Sequence, residues 1–296
     1  MPDASDAAGR SGPAEPSTLT AGDGRTLAYA EYGDPEGRPV FAFHGVLGSR
    51  LTWALCDDHA RELGVRLVAP ERPGFGHSEF QPGRRLLDWP DDVRALADHL
   101  GVDGFAVVGF SAGGPHAAAC GVRLPGRVRR LALASTVTPP ATHGSADPLN
   151  HAVLSATRFV PGFSRTAFET AAWLAEHSRP KFRASVVGTA AAPDRALFDT
   201  PEGEALIDDA AEGFRGGSRG PAHDLPLVGG DWGFDADEVD TPVTMFHGSA
   251  DGTVGVDMAR AFADRLPDCD LHVTGDAHYS TYVHNREPLL RAAAGV

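Results

Sequence analysis

The sequence predicts an α/β protein built on a mostly parallel, doubly wound sheet carrying a helical insertion, and three observations predict it. Short runs of β-branched and other apolar residues recur along the chain, each closed by Gly, Pro or a small polar residue. Amphipathic stretches of helical period lie between them. One interval, from about Thr136 to Thr241, holds no apolar strand run and is Ala-rich and helix-like instead.

Taken in order, Ser17 to Tyr32, with Gly22-Asp23-Gly24 at its centre, reads as an antiparallel hairpin leading into the sheet. The core strands are expected at Val40–His44, Val65–Ala69, Phe105–Gly109, Val128–Ala134, Val243–His247 and Asp270–Thr274. Runs apolar on both faces suit strands covered by helices on both sides, as in a parallel sheet. Helices are expected over Asp91–Leu100, Ala112–Leu124 and Val256–Leu266. Pro90 opens the first of these and Gly101 stops it. A structureless loop as long as 136–241 is implausible in a compact domain, so residues 138–236 are expected to form a helical cap over the sheet edge. Its aromatics (Phe159, Phe163, Phe168, Trp173, Phe182, Phe198, Phe214, Trp232 and Phe234) are expected mostly to build its own core, with a minority lining an apolar pocket. The division is therefore a disordered tail over 1–16, a core of 17–137 and 237–296, and the cap at 138–236.

Composition narrows the function classes. The chain has 296 residues, 42% hydrophobic and 22% charged, ordinary for a globular enzyme. With 40 acidic against 26 basic residues the formal charge is −14, which repels a phosphate backbone and disfavours nucleic acid or an anionic membrane as partner. The first residues lack the basic start and apolar core of a signal peptide, and no run reaches the roughly 20 apolar residues of a membrane span. A cytoplasmic location is the default expectation. Cys56, Cys120 and Cys269 are odd in number and widely spaced, so reduced, mostly buried thiols are expected rather than a disulfide framework.

The chemistry concentrates where strands end. Gly109-Phe110-Ser111-Ala112-Gly113 sits behind one apolar run and ahead of a helical one; its glycines are expected to permit a sharp turn that lifts the serine hydroxyl above the strand. His44-Gly45-Val46-Leu47-Gly48-Ser49 closes the first core strand, and Arg72-Pro73-Gly74-Phe75-Gly76-His77-Ser78 follows the second. His247-Gly248-Ser249-Ala250-Asp251 and Gly275-Asp276-Ala277-His278 follow the last two. In open α/β sheets, sites gather beyond the carboxyl ends of the strands.

Together these segments resemble the α/β-hydrolases, over about residues 25 to 290. The resemblance implies a Ser…Asp…His order, hence Ser111 as nucleophile, His278 as base and Asp251 as the acid that orients it. His278 could instead be an ordinary surface histidine, and Asp251 a cap for the helix near Val256; Asp276 is the other candidate acid, though close in sequence to His278. The resemblance further implies an oxyanion hole from the amides of Val46 and Ala112, the latter at a helix start where the dipole favours negative charge. His44 is expected to brace its loop, and His116 either to line the pocket or to serve structure. The Arg72–Ser78 loop is assigned no chemistry. Relatives that hydrolyse epoxides or displace halide carry aspartate at the serine's place, so serine here points to esters, thioesters, lactones or amides. No His-x-x-x-His pair, carboxylate cluster or dinucleotide-type glycine pattern occurs, and no metal or other cofactor is required.

The expected activity is hydrolysis of a small or medium apolar carboxylic ester through an acyl-enzyme. Acyl transfer, lyase chemistry, perhydrolysis or cofactor-free cyclisation on the same triad, and a ligand-binding receptor with little turnover, remain the alternatives. Nothing in the sequence reads out the oligomeric state.

Overall fold

The computed structural model describes residues 16–145 and 163–296. Eight strands form one sheet: β1 (Ser17–Thr20), β2 (Thr26–Gly33), β3 (Arg38–Phe43), β4 (Val65–Pro70), β5 (Phe105–Phe110), β6 (Val128–Ala134), β7 (Val243–Gly248) and β8 (Cys269–Thr274). They lie in the order β1-β2-β4-β3-β5-β6-β7-β8. The β1–β2 hairpin is antiparallel and β2 also pairs antiparallel with β4, whereas every pairing from β4 to β8 is parallel.

The pleat sorts side chains between two cores. On β3, Phe41 and Phe43 enter one core together with Val93, Leu96 and Phe262. Val40 and Ala42 enter the other, with Ala60, Leu289 and Leu290. Alternate residues of a strand point to opposite faces, so both faces of β3 demand cover. Each fully buried Val, Leu or Phe among them contributes about 1.5–3 kcal/mol relative to exposure. The cover comes from α2 (Trp89–His99) and α3 (Gly113–Arg123) on the first face, with α1 (Asp57–Glu62) on the second. The doubly wound arrangement thus follows from strands that are apolar on both sides.

Between β6 and β7 run α4 (Phe163–His177), α5 (Arg179–Val187), α6 (Ala192–Leu197), α7 (Pro201–Gly213) and α8 (Arg219–Val228). After β7 come α9 (Val256–Ala263), α10 (His278–His284) and α11 (Arg286–Ala294). Of the aromatics expected in the insertion, Phe182, Phe198 and Phe214 are buried together, Trp173 is exposed, and Trp232 packs instead into the core beneath β3. The tail expected over 1–16 lies, save Pro16, outside the described residues, as does Phe159.

Among the elements not foreseen are a 3-10 turn at Arg50–Cys56 with α1 after it, and the C-terminal pair α10 and α11. The last carries Pro288 in its first turn, where a missing amide costs nothing because no intrahelical carbonyl awaits it. Cys56, Cys120 and Cys269 are free thiols, the first two buried.

Candidate active site

The triad candidates and Val46 each sit just past the carboxyl end of a strand: Val46 after β3, Ser111 after β5, Asp251 after β7 and His278 after β8. Parallel strands end on one edge of the sheet, so four loops distant in sequence converge there.

Ser111 occupies a left-handed turn at φ 54°. That conformation costs a non-glycine residue on the order of 1–3 kcal/mol and is held by its surroundings. Ser111 donates its amide to Ala134 O at 3.0 Å, and its carbonyl accepts from Gly114 N and Val137 N, each at 3.1 Å. The flanking glycines act differently from expectation. Neither Gly109 nor Gly113 has positive φ; a Cβ on Gly113 would collide with the Phe43 carbonyl, and one on Gly109 with Gly113 itself. They provide close approach of α3 to the strands, while the serine itself takes the unusual backbone angle.

The three expected side chains form one hydrogen-bonded chain. His278 Nδ1 lies 2.8 Å from Asp251 Oδ2, and His278 Nε2 lies 2.9 Å from Ser111 Oγ. A carboxylate only accepts, so Nδ1 carries the proton and Nε2 presents its lone pair to the serine hydroxyl, which donates. His278 is 4% exposed and is therefore not a surface histidine. Its ring packs against Phe110 and Tyr279, at centroid separations of 5.3 and 5.4 Å. Burial works against the imidazolium, but the charge and hydrogen bond of Asp251, helped by the Asp194 carboxylate, outweigh it and raise the pKa above the ordinary value.

Asp251 is likewise committed. Its Oδ1 accepts from Thr253 N at 2.8 Å and Val254 N at 2.9 Å, leaving Oδ2 for His278. Burial raises its pKa, yet the facing His278 more than compensates and the net shift is downward. It does not cap α9, whose preceding residue is Gly255. Asp276, the other candidate acid, turns away to His284 Nδ1 at 2.8 Å.

Val46 lines the cavity above the serine, and Ala112 immediately precedes α3. Among the described residues neither the Val46 nor the Ala112 amide has an acceptor. The cavity holds about 370 Å³ and is walled by Leu47, Phe110, Phe168, Phe182, Val186 and Tyr279 together with Ser111 and His278. Ser111 is only 7% exposed, so its hydroxyl opens into this cavity rather than to bulk water.

His44 and His116, both fully buried, belong to the scaffold. Burial foremost keeps both neutral: His44 falls well below the ordinary value and His116 to about 3. His116 does not line the cavity; its Nδ1–H donates to Ala112 O at 2.8 Å. Sequence reasoning missed Ser135, whose hydroxyl donates to the His278 carbonyl at 2.8 Å, and Asp194, which accepts from Tyr279 N at 3.1 Å and Ser280 N at 2.8 Å. Among the described residues, no three His, Cys, Asp or Glu side chains gather as a metal site. Nor is any described helix long and apolar enough to cross a membrane.

Comparison with known proteins bears on the family and the fold. A non-heme chloroperoxidase of Streptomyces lividans is 33% identical over 141 residues, 44% of this chain and 48% of that protein. The chain thus spans about half the length of the curated relatives it matches first. A pimeloyl-[acyl-carrier protein] methyl ester esterase of Aromatoleum aromaticum is 30% identical over 228 residues, 76% of this chain and 84% of that one. A hydrolase from Pseudomonas aeruginosa PA01 superposes with a TM-score of 0.71 at 20% identity, covering 95% of this chain and 98% of its own. The model of the alpha/beta hydrolase fold family matches residues 38–284, and the chain belongs to that family.

Proposed function

We propose that this protein is a serine hydrolase that cleaves a small or medium apolar carboxylic ester through an acyl-enzyme, with thioesters and lactones within the same chemistry. The observation that carries the reading is the unbroken Asp251–His278–Ser111 chain at 2.8 and 2.9 Å, opening into a mainly apolar cavity. Ser111 Oγ attacks the carbonyl carbon while His278 Nε2 takes its proton. Charge develops on the carbonyl oxygen, and the free amides of Val46 and Ala112 receive it. Asp251 holds the imidazole in its tautomer and offsets the imidazolium. Collapse expels the alcohol, protonated by His278; water activated by the same base then releases the acid and regenerates the serine.

Within the 138–236 interval, α4, α5 and α6 act as the cap in this reading, closing the cavity over the nucleophile. The apolar walls favour neutral acyl groups, and Asp194 at the cavity edge disfavours an anionic one. The test is a fluorophosphonate label followed by model esters of graded acyl length. Labelling and turnover are expected at Ser111 and should both vanish in Ser111→Ala; labelling that persists would overturn the assignment.

The chloroperoxidase relative favours a second reading, in which hydrogen peroxide replaces water at the second step and the product is a peracid. Iodide oxidation that requires peroxide, carboxylic acid and Ser111 together would support it; oxidation unaffected by Ser111→Ala would dismiss it.

A further inference from the structure

The loop after β4, to which sequence assigned no chemistry, holds a fully buried arginine whose bonds run to the backbone of the serine's opposite wall. Arg72 Nη2 donates to Gly45 O at 3.0 Å, and Nη1 donates to His44 O. The guanidinium is fixed from behind by Asp224 on α8, at 2.9 Å from Nη2 and 3.2 Å from Nε. Both side chains have no exposure, and Arg84 bonds the other oxygen of the same carboxylate. Arg72 also sets its neighbour: its own amide donates to His44 Nε2 at 3.2 Å, so His44 carries its proton on Nδ1 and donates it to Gly45 O at 2.8 Å.

The Gly45 carbonyl is therefore met by two donors, one of them charged. It belongs to the same peptide unit as the Val46 N–H. A trans peptide is planar, so fixing its oxygen fixes the direction of its hydrogen. Positive charge at the oxygen draws electron density through the amide and makes the N–H a stronger donor, the more so where water is excluded. The second oxyanion donor has the same support in neutral form, since the carbonyl of its peptide unit, Ser111 O, accepts two amides.

We propose that Arg72, held by Asp224, is a positioning residue of the oxyanion site: through the Gly45 carbonyl it aims and strengthens the Val46 amide. The inference rests on the serine-hydrolase reading. It gives the buried ion pair a role in the transition state rather than in folding alone, and it makes a cap helix part of the catalytic scaffold.

The test uses the full chain with Arg72→Met and Arg72→Lys, measured on the best ester of the acyl-length panel. Each variant is also titrated with a trifluoromethyl ketone, which forms a tetrahedral oxyanion on the serine, and with the matching methyl ketone as ground-state mimic. Loss of one oxyanion donor costs about 10²–10³-fold in kcat, so its misdirection in Arg72→Met is expected to cost about 10²-fold. KM should stay within about threefold, because the lost interaction belongs to the transition state. Affinity for the trifluoromethyl ketone should fall in parallel with kcat while that for the methyl ketone holds. Arg72→Lys keeps a charge but not the fork, and about a tenfold loss is expected. If Arg72→Met does not fold, Arg72→Lys decides alone: kcat within twofold of the parent, or equal loss of affinity for both ketones, overturns the inference. A parent enzyme without Ser111-dependent turnover would instead sink the hydrolase reading, so the two failures are distinguishable.

Discussion

Replacing Asp251 by Asn probes the site with an almost isosteric change, and the structure dictates how it fails. Oδ1 of Asp251 accepts two backbone amides, from Thr253 and Val254, and an NH2 group cannot take that place. The asparagine must therefore keep its oxygen on the loop and turn its NH2 toward His278 Nδ1. An NH2 donates, so Nδ1 must accept and the ring proton moves to Nε2, 2.9 Å from Ser111 Oγ. The lone pair that would take the serine proton is then gone. Catalysis requires the disfavoured tautomer, and the expected loss in kcat is about 10⁴-fold. In free-energy terms that is about 5.4 kcal/mol of the barrier.

Stability should respond far less, because both loop amides remain satisfied. A change of about 1 kcal/mol or less in a domain of this size moves the unfolding temperature by about 2–4 °C. The assay is steady-state turnover of a p-nitrophenyl ester, with thermal unfolding measured on the same preparations and Asp276→Asn as control. Among the described residues the Asp276 carboxylate pairs with the exposed His284, so that control should keep parental activity. A decrease of less than about tenfold in Asp251→Asn would refute the tautomer argument. A severe effect at Asp276 beside a mild one at Asp251 would move the acid's role.

The raised pKa of His278 means that kcat/KM should rise with pH through an apparent value above the ordinary histidine value of about 6.5, since the base must be neutral; a profile flat from pH 5 to 8 would contradict it. For stability the sign is opposite: the protonated His278–Asp251 pair stabilises below the unfolded-state pKa, and that contribution is lost as pH rises through the folded value. Phe182 is buried and forms part of the cavity wall, so Phe182→Ala should cost about 3–5 kcal/mol and shift preference toward longer acyl chains; unchanged chain-length selectivity in an ester panel would remove Phe182 from the substrate's path. Asp209 is buried, and desolvation, only partly offset by bonds from Ser49 and Thr52, pushes its pKa up to about 7. A raised folded pKa gives stability at low pH that is lost as pH climbs from the unfolded carboxylate value of about 3.9 toward 7. Asp209→Asn should therefore gain in unfolding temperature relative to the parent across that window, and a pH-independent difference in thermal scans would exclude the mechanism.

Much of this site was legible because its signals are local. Gly109 to Gly113 lies between an apolar strand run and a helix, and the segments ending at Asp251 and His278 follow strands in the same way. Parallel topology turns "after a strand" into "on one edge", so the convergence of these segments was legible without tertiary contacts, while the choice of Ser111, Asp251 and His278 among their residues came from the resemblance to the α/β-hydrolases. The glycines were read at the right positions for the wrong reason, because backbone freedom and close approach leave the same residue in the sequence. What was hidden depends on long-range pairing. Arg72 looks like part of a turn; only the fold carries Asp224, 152 residues away, to its guanidinium. Ser135 gave no signal, since a hydroxyl bonding a carbonyl 143 residues distant has no sequence pattern. The helix α10 was missed because its polar His, Ser and Thr residues obscure an apolar period, and because Asp194 from another helix supplies the carboxylate at its N-terminus.

That last contact is one of three with a common logic. Three successive helices between β6 and β7 each present a buried aspartate to the segments that carry the candidate site residues. Asp194 on α6 accepts the first amides of α10, directly after His278; Asp209 on α7 accepts from Ser49 N at 2.8 Å and from Thr52 Oγ1, behind the Val46 loop; Asp224 on α8 fixes Arg72 beneath that same loop. A buried carboxylate is costly unless bonded, and each of these is bonded across the boundary between cap and core. Separating the two would strand the carboxylates on one side and leave Arg72 and Arg84 without their counter-ion and the α10 amides unmet on the other. Sliding the helices by one turn would do the same. In the proposed mechanism the geometry of base, nucleophile and oxyanion donors is therefore fixed jointly by the sheet and these helices, and a change of acyl selectivity made on α4 or α5, whose described residues line the cavity and make no such tie, should be separable from catalysis in a way that a change on α6, α7 or α8 is not.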